Sequence, residues 1–594
     1  MASLSSLNSI STAASTRSLS AGQSSFEKKT QISVVGKPKH SHLRVIKCRA
    51  NRDRENDKHE KETGSFIDRR NILLGLGGLY GATAAGFGAD RMAMAAPIAP
   101  PDLSKCGPAN LPAGATPINC CPPPNTKIVD FQVPSKSTPL RIRPAAHLVD
   151  EAYIAKYNKA YELMRALPDD DPRSFKQQAN VHCAYCDGAY DQALAGFPKL
   201  EIQVHNSWLF FPFHRYYIYF HEKILGSLIG DPTFALPFWN WDSPAGMKMP
   251  SMYAKPGSSL YDKLRDAKHQ PPYLLDLNYN LVDSNLPAAQ QYTSNLTTMY
   301  RQVVSGGKTA QLFLGSPYRA GGVANPGAGT LENVPHGPVH IWSGDRTQTN
   351  IENMGNFYSA ARDPIFFAHH SNCDRMWTIW KSLGGNRKDF TDPDFLNAAF
   401  LFYDEKKQLV RVTIKDCLEQ ENLRYKYQNV EIPWLQTKPK TPKARKVEKN
   451  TAAKKKSVDT PTFPIILDKT VQVLVKRPKT KSRSRKEKED KEEILIISGI
   501  ELERGALVKF DVFINDEDEV GPESSEFAGS FTNVPHKHGK KDKKIKTYLK
   551  LGITDILEDL DAEDDDDVLV TIIPRDSGRG KEVVTIESIE IEFD

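Results

Sequence analysis

Two rhythms of apolar positions divide the chain. Upstream, apolar residues recur three and four apart, the spacing that lines one face of a helix. EAYIAKYNKAYELMRAL (151–167) and FHRYYIYFHEKILGSLIG (213–230) predict two such helices, the second strongly amphipathic. ARDPIFFAHHSNCDRMWTIWKSL (361–383) predicts a third, with Asp363 and Pro364 as its start signals. The interval 244–335 is rich in Gly, Pro and Asn and predicts loops with a few helical turns. Beyond Trp434 the rhythm changes. TKPKTPKARKVEKNTAAKKKSVDTPTFP (437–464) has no apolar period and predicts a linker or exposed loop. From Ile465 onward, short β-branched runs separated by turn residues take over: VQVLVK, ILIISGI, ALVKFDVFI, VLVTIIP and VVTIESIEIEF. They predict a separate all-β domain of the sandwich type. The expected fold class is a mainly α domain with long loops, followed by an all-β sandwich.

Composition changes this picture little. The 594 residues are enough for two or more cores, and 39% hydrophobic with 26% charged is ordinary for a globular protein. The net charge of +6 is uneven: basic residues crowd 438–456 and 476–488, and EDLDAEDDDD fills 558–567. Nucleic-acid binding would need basic residues interleaved with aromatics on a folded face, and these runs lack them. The first 48 residues are rich in Ser and Thr, with seven Lys/Arg and one acid, Glu27, the composition of an organellar transit peptide. Arg69-Arg70 then precede an uncharged Gly/Ala-rich run, 71–89, and Ala93-Met94-Ala95 is a cleavage pattern. Together they predict a bipartite leader, 1–95, that directs the protein to the chloroplast thylakoid lumen, with no integral membrane segment in the mature form. Cys106, Cys120, Cys121, Cys183 and Cys186 cluster in one stretch, which suggests disulfides and an oxidising compartment.

The histidines carry the chemistry. His182, His205 and His214 form one group, in HCAYC and HNSWLFFPFH; His336, His340 and His370 form another, in HGPVH and DPIFFAHHSNCDR. His336 and His340 would share one helix face, and a buried His370 is expensive without a partner. Three imidazoles per metal without a carboxylate point to copper or zinc, and six exceed what one zinc needs. Two adjacent sites would hold a metal pair roughly 3.5–4 Å apart. HCAYC lacks the second C-x-x-C of a zinc ribbon, the trailing His of a haem site and the βαβ setting of a thioredoxin. It is therefore read as a ligand histidine followed by two structural cysteines.

On HCAYC, HNSWLFFPFHRYYIYFHE, LPFWNWDSP, NVPHGPVHIWSGD, MGNFYSAARDPIFFAHHSNCDRMW and KFDVFIND, the chain resembles the plant polyphenol oxidases, the catechol oxidases and tyrosinases of the type-3 copper class. The resemblance implies a four-helix bundle holding a dicopper centre in 96–436, a linker at 437–464, and a β-domain, 465–594, that shields the site and keeps the enzyme latent until a protease releases it. It implies His182, His205 and His214 on the first copper and His336, His340 and His370 on the second, with His369 structural. It implies a thioether between Cys186 and His205, and disulfides Cys106–Cys121 and Cys120–Cys183. O2 and small phenols are the expected partners. By the same resemblance Glu332 holds a water near the second site, Phe357 stacks on the substrate ring, and Gly337 and Ile341 line the entrance. Asp374, one turn after His370, is placed to orient a ligand histidine; the alternative is a surface salt bridge with a neighbouring arginine.

The chain departs from relatives at two places. Gly337 stands where some carry Asn, and has no side-chain acceptor for the water, so oxidation of catechols is expected with monophenol hydroxylation weak or absent. Phe395, in Asp394-Phe395-Leu396, replaces a Trp and keeps the apolar bulk without the indole N–H. Tyr425 and Tyr427 match a tyrosine pair that marks the end of the catalytic domain. No role follows for Cys373 and Cys417 beyond buried thiols. The competing readings are a haemocyanin-like O2-binding protein and a specialised phenol hydroxylase of the aurone-synthase kind.

Overall fold

The computed structural model describes residues 96–193, 200–439, 461–478, 483–516, 521–536, 544–575 and 583–594. The expected leader and most of the expected linker lie outside the described residues. Four helices form the bundle: α1 (Glu151–Arg165), α2 (Phe175–Cys186), α3 (Phe210–Leu228) and, later in the chain, Ile365–Ser382. Side-chain caps start the first two, with Asp150 accepting from Tyr153 N at 2.8 Å and Ser174 from Gln177 N at 3.2 Å. Among the described residues no helix is long and apolar enough to cross a membrane.

Helix α3 is not amphipathic in the expected sense, because it is buried almost all round. Phe131, from the N-terminal arm, packs edge-on against Tyr216, Tyr219 and Phe220, and Phe402 stacks on Phe220 at 5.4 Å. The charged positions on that helix are therefore paired rather than solvated. Glu222 accepts from Arg141 Nε at 2.7 Å and Arg143 Nε at 2.8 Å, and Arg215 donates to Asp374 at 2.5 Å. Arg141–Arg143 lies parallel to Tyr425–Tyr427 as a two-stranded ribbon, with the Arg143 guanidinium 3.7 Å over the Tyr425 ring.

The loop-rich interval holds a long helix that the apolar pattern does not reveal, α4 (Ala288–Tyr300), and a short one at Ala310–Leu314. The buried face of α4 is mostly polar: Gln291, Ser294, Asn295, Thr297 and Thr298. Asn295 serves the neighbouring loop, accepting from Leu277 N at 3.0 Å and donating to Leu275 O at 2.7 Å. Helices that bear on the site follow: α5 (Gly337–Ser343), α6 (Phe357–Ala360) and the bundle helix α7 (Ile365–Ser382). Asp363 helps start α7, accepting from Ile365 N at 2.9 Å while pairing with Arg265.

The C-terminal part is a two-sheet sandwich, as the β-branched runs predict. One antiparallel sheet has Phe527–Asn533, Val508–Ile514, Asp567–Arg575 and Val471–Lys476 in that order. In the other, Glu493–Glu503 is flanked by Lys544–Gly552 and Ser588–Phe593. Lys544–Gly552 alternates exposed and buried residues over most of its length, the period-2 signature of a half-wet strand. Val508–Ile514 is buried at every position, although its sequence alternates charge with apolar bulk. Its polar face lies against the helical part. Lys509 Nζ donates to Asn278 Oδ1 at 2.8 Å, and Asp511 pairs with Lys509 at 3.2 Å and Arg575 at 2.7 Å. Ion pairs Arg504–Glu201 at 2.5 Å and Lys308–Glu492 at 3.4 Å, with the Lys308–Asp555 pair, add to this contact.

Candidate metal centre

Six imidazoles converge inside the bundle. His182 comes from α2, His205 from the loop before α3, His214 from α3, His336 from the residue before α5, His340 from α5 and His370 from α7. None is more than 2% exposed. Within the first group, ring centroids are 5.1 Å (His182–His205), 5.1 Å (His205–His214) and 5.7 Å (His182–His214) apart. Within the second they are 4.6 Å (His336–His340), 5.1 Å (His336–His370) and 5.4 Å (His340–His370) apart. His214 and His370 stack across the two groups at 4.1 Å.

The hydrogen bonds fix which nitrogen is free. The Nδ1 atoms of His182, His214, His336 and His340 lie 2.8–3.1 Å from the carbonyl oxygens of Phe357, Phe210, Glu332 and Met354. A carbonyl only accepts, so each Nδ1 carries the proton and donates, and each Nε2 presents a lone pair. His205 Nδ1 is 3.1 Å from Gln203 Oε1. The Nε2 atoms of His182, His205, His214 and His336 are buried with no hydrogen-bond partner among the described residues. His340 Nε2 and His370 Nε2 lie 3.3 Å apart, an arrangement that a shared cation stabilises. Burial pushes all six rings below the ordinary imidazole range, His182 to about 3 and His340 to about 4, so they stay neutral and ready to ligate. Buried, bare, neutral imidazole nitrogens are the donor set for copper or zinc.

His369 also lies within ligand reach of His336, His340 and His370. Its Nδ1, however, accepts the Trp241 indole N–H at 3.2 Å, which places its own proton on Nε2, opposite Cys373 Sγ at 3.9 Å. Neither nitrogen is left bare.

The other expected residues distribute as follows. Glu332 is buried, with Oε1 accepting from Asn206 N at 2.6 Å and Oε2 without a partner among the described residues. Burial pushes its carboxyl well above the usual range, against backbone donation from Asn206, Gly329 and Ser207. Phe357 stacks on His205 at 4.0 Å, and its ring also stacks on His536 of the β-domain at 5.0 Å. Ile341 is buried. Gly337 faces the β-domain: a Cβ there would lie 3.1 Å from Thr532 Cγ2 and 3.5 Å from Val534 Cγ2. Cys186 Sγ and the ligating nitrogens of His182 and His205 all lie within 4.8 Å of one another. Cys106–Cys121 and Cys120–Cys183 are bonded, the second tying the arm to the residue after His182. Cys373 and Cys417 are buried free thiols.

Asp374 corrects an expectation. It makes no hydrogen bond to any of the six histidines. It accepts from Arg215 Nε at 2.5 Å, Tyr425 at 2.6 Å, Tyr427 at 2.5 Å and Arg143 at 3.4 Å, so it ties α7 to α3 and to the Tyr425–Tyr427 strand. Arg215 follows His214, so Asp374 reaches the centre only through the backbone of α3. Phe395 fills its place against Trp208 and Phe390 at 5.3 and 5.4 Å.

Sequence reasoning misses the groups that orient the ligands. The carbonyls of Met354, Phe357 and Phe210 are backbone atoms and leave no side-chain signal. Gln203 did leave one, as an uncharged amide two residues before His205. Its Nε2 donates to Cys186 O at 2.8 Å while its Oε1 faces His205 Nδ1. The covering segment, Thr532 to His536, was equally silent. Phe357 N donates to Pro535 O at 3.3 Å, and Val534 is part of the helical domain's own core.

Three family models match in succession: the common central domain of tyrosinase over 172–383, the polyphenol oxidase middle domain over 389–440, and the chloroplastic polyphenol oxidase C-terminal domain over 463–593. The chain is 59% identical to a chloroplastic polyphenol oxidase of Malus domestica, covering 95% of each. It is 56% identical to aureusidin synthase of Antirrhinum majus, covering 88% of this chain and 93% of that one. The solved structure of latent apple tyrosinase superposes with a TM-score of 0.74 at 61% identity, covering 79% of this chain and all of the other.

Proposed function

The chain belongs to the polyphenol oxidase family, and from that premise we propose that it is a latent oxidase of o-diphenols. Two catechols and one O2 give two o-quinones and two waters. It is a tyrosinase-type enzyme with a type-3 pair of copper ions; the pair supplies the two-electron exchange with O2. In this reading His182, His205 and His214 hold the first copper and His336, His340 and His370 the second, and Cys186 is bonded through sulfur to the His205 ring. The five Nδ1 acceptors hold the rings in register, and the apolar walls, Phe366 at 4.2 Å from the His370 ring among them, exclude water. Glu332, through its bare Oε2, holds a water or accepts a phenol proton.

The observation that carries the latency is the double stack on Phe357, with His205 on one contact and His536 on the other. The β-domain thus stands on the ring that a substrate would meet. Residues 96–436 form the catalytic domain and 465–594 the shield, and a protease cutting in 437–464 separates them. The leader at 1–95, together with relatives named chloroplastic, supports a plastid address, and the twin arginines support the thylakoid lumen.

The test uses the copper-loaded full chain before and after limited proteolysis, with O2 uptake on 4-methylcatechol and on tyramine. If the uncovered state is roughly 1–10% populated in the full chain, cleavage raises catechol oxidation about 10- to 100-fold. No uptake from either form, with both coppers bound, would leave an oxygen carrier and sink the proposal.

Gly337 sets the second expectation. In the cleaved enzyme Gly337→Asn supplies an acceptor near the Glu332 water and raises tyramine hydroxylation several-fold relative to catechol oxidation. In the full chain the same side chain meets Thr532 at 3.1 Å, so the variant also loses part of its latency. An unchanged tyramine-to-catechol ratio would remove Gly337 from the account of specificity.

A further inference from the structure

A cleft of about 950 Å³ opens beside the metal centre without being part of it. The disulfide-tied arm forms one wall through Ile118, and the start of α2 forms another through Phe175. The loop at Tyr261, with Asn353 and Arg362 at the two ends of one segment, completes it.

Its charge is unbalanced. Arg165, Lys263 and Arg362 line it, and among the described residues none of the three has a carboxylate within ion-pair distance. The fourth cation, Lys176, is already paired with Asp169 at 2.6 Å. The one acid, Asp262, is engaged by Asn353 Nδ2 at 2.7 Å and Leu264 N at 3.0 Å. Arg362 is partly buried over the Tyr358 ring at 5.5 Å, and its guanidinium makes no hydrogen bond to a described residue. Arg165 lies 4.0 Å over the Phe175 ring and spends only its Nε–H, on Ser259 O at 3.1 Å. Burial pushes both guanidiniums below their ordinary range. Arg362 is partly buried and Arg165 exposed, each beside an aromatic ring, and both leave forked donors unspent.

We propose that this cleft is a second binding site, for an aromatic carboxylate. The carboxylate takes the free forks of Arg362 and Arg165, and the ring lies against Phe175, Tyr261 and Ile118. Two of its lining residues, Asn353 and Arg362, bracket a segment that also serves the centre. The stretch from Asn353 to Arg362 carries the Met354 and Phe357 carbonyls, which receive the Nδ1 protons of His340 and His182. Occupancy of the cleft therefore bears on one ligand of each group without entering the covered site.

The experiment is ligand-observed fluorine NMR on the copper-loaded, uncleaved chain with 4-fluorophthalate as probe. Its neutral dimethyl ester and inorganic phosphate serve as comparisons. Saturable binding of the dianion is expected, with binding at least tenfold weaker for the ester and for phosphate. Arg362→Gln and, independently, Arg165→Gln weaken it tenfold or more, while R362K, which keeps the charge and loses the fork, falls between. Arg165 is on the exposed side of α1, so its variant keeps the measurement informative if Arg362→Gln folds poorly. An excess of 4-methylcatechol leaves binding unchanged. Absence of saturable binding, equal binding of phosphate, displacement by 4-methylcatechol, or indifference to both arginine variants would each overturn the proposal.

Discussion

His370→Ala is expected to remove the second copper and with it the oxidase activity. The loss exceeds the roughly 10- to 100-fold that follows from cutting an outer hydrogen bond to a metal ligand, because in the proposed assignment the ligand itself is gone. His369→Gln, one position earlier, is the matched control. His369 spends Nδ1 on the Trp241 N–H and turns Nε2 to Cys373, so its variant keeps both metals and loses some stability. Copper per chain and O2 uptake with 4-methylcatechol read the contrast. Loss of metal from the His369 variant but not the His370 variant would reverse the assignment within the pair.

Asp374→Ala is expected to destabilise the fold by about 3–5 kcal/mol, the cost of leaving buried positive charge without its partner. Arg215 and Arg143 both turn to this carboxylate, and two tyrosine hydroxyls complete it. The pH dependence has a definite sign. Burial alone would raise the Asp374 pKa, but Arg215 and Arg143 outweigh it and hold the carboxyl below the usual range. A depressed folded pKa contributes stability that is fully present above the unfolded value, about 3.9, and is lost as pH falls through the folded one. The gap in denaturation midpoint between wild type and D374A therefore stays constant from about pH 5 to pH 8 and narrows only below about pH 4. A gap that closes near neutrality would mean that a different group dominates.

These two residues also show what can be read from sequence alone and what cannot. Periodicity located α1, α3 and α7, because each buries apolar residues at helical spacing. It missed α4, whose buried face is made of Asn, Gln, Ser and Thr serving loop backbone. The two histidine groups were legible because ligation needs a particular side chain at a particular place. Their orienting partners were not, since four of the five are main-chain carbonyls set by tertiary packing. Asp374 was expected beside a ligand because it lies one turn from His370, but helix rotation points it instead at Arg215 on α3. The run ALVKFDVFI predicts a strand, and its pattern alone leaves the surroundings open. Lys509 and Asp511 are the polar half of a pattern that normally faces water, and here that half is covered by Asn278 and its neighbours.

The cover over the histidines also constrains the order of events during assembly. With every ligand ring at most 2% exposed, an ion has no direct route from solvent once the Thr532–His536 segment is seated. The bare Nε2 atoms are already aimed, so the metal asks for little rearrangement; what it needs is timing. Either copper arrives while the sandwich is still undocked, or the sandwich must lift to admit it. In the proposed latent form, the barrier that withholds the site from phenols is equally a barrier to metallation and to metal loss.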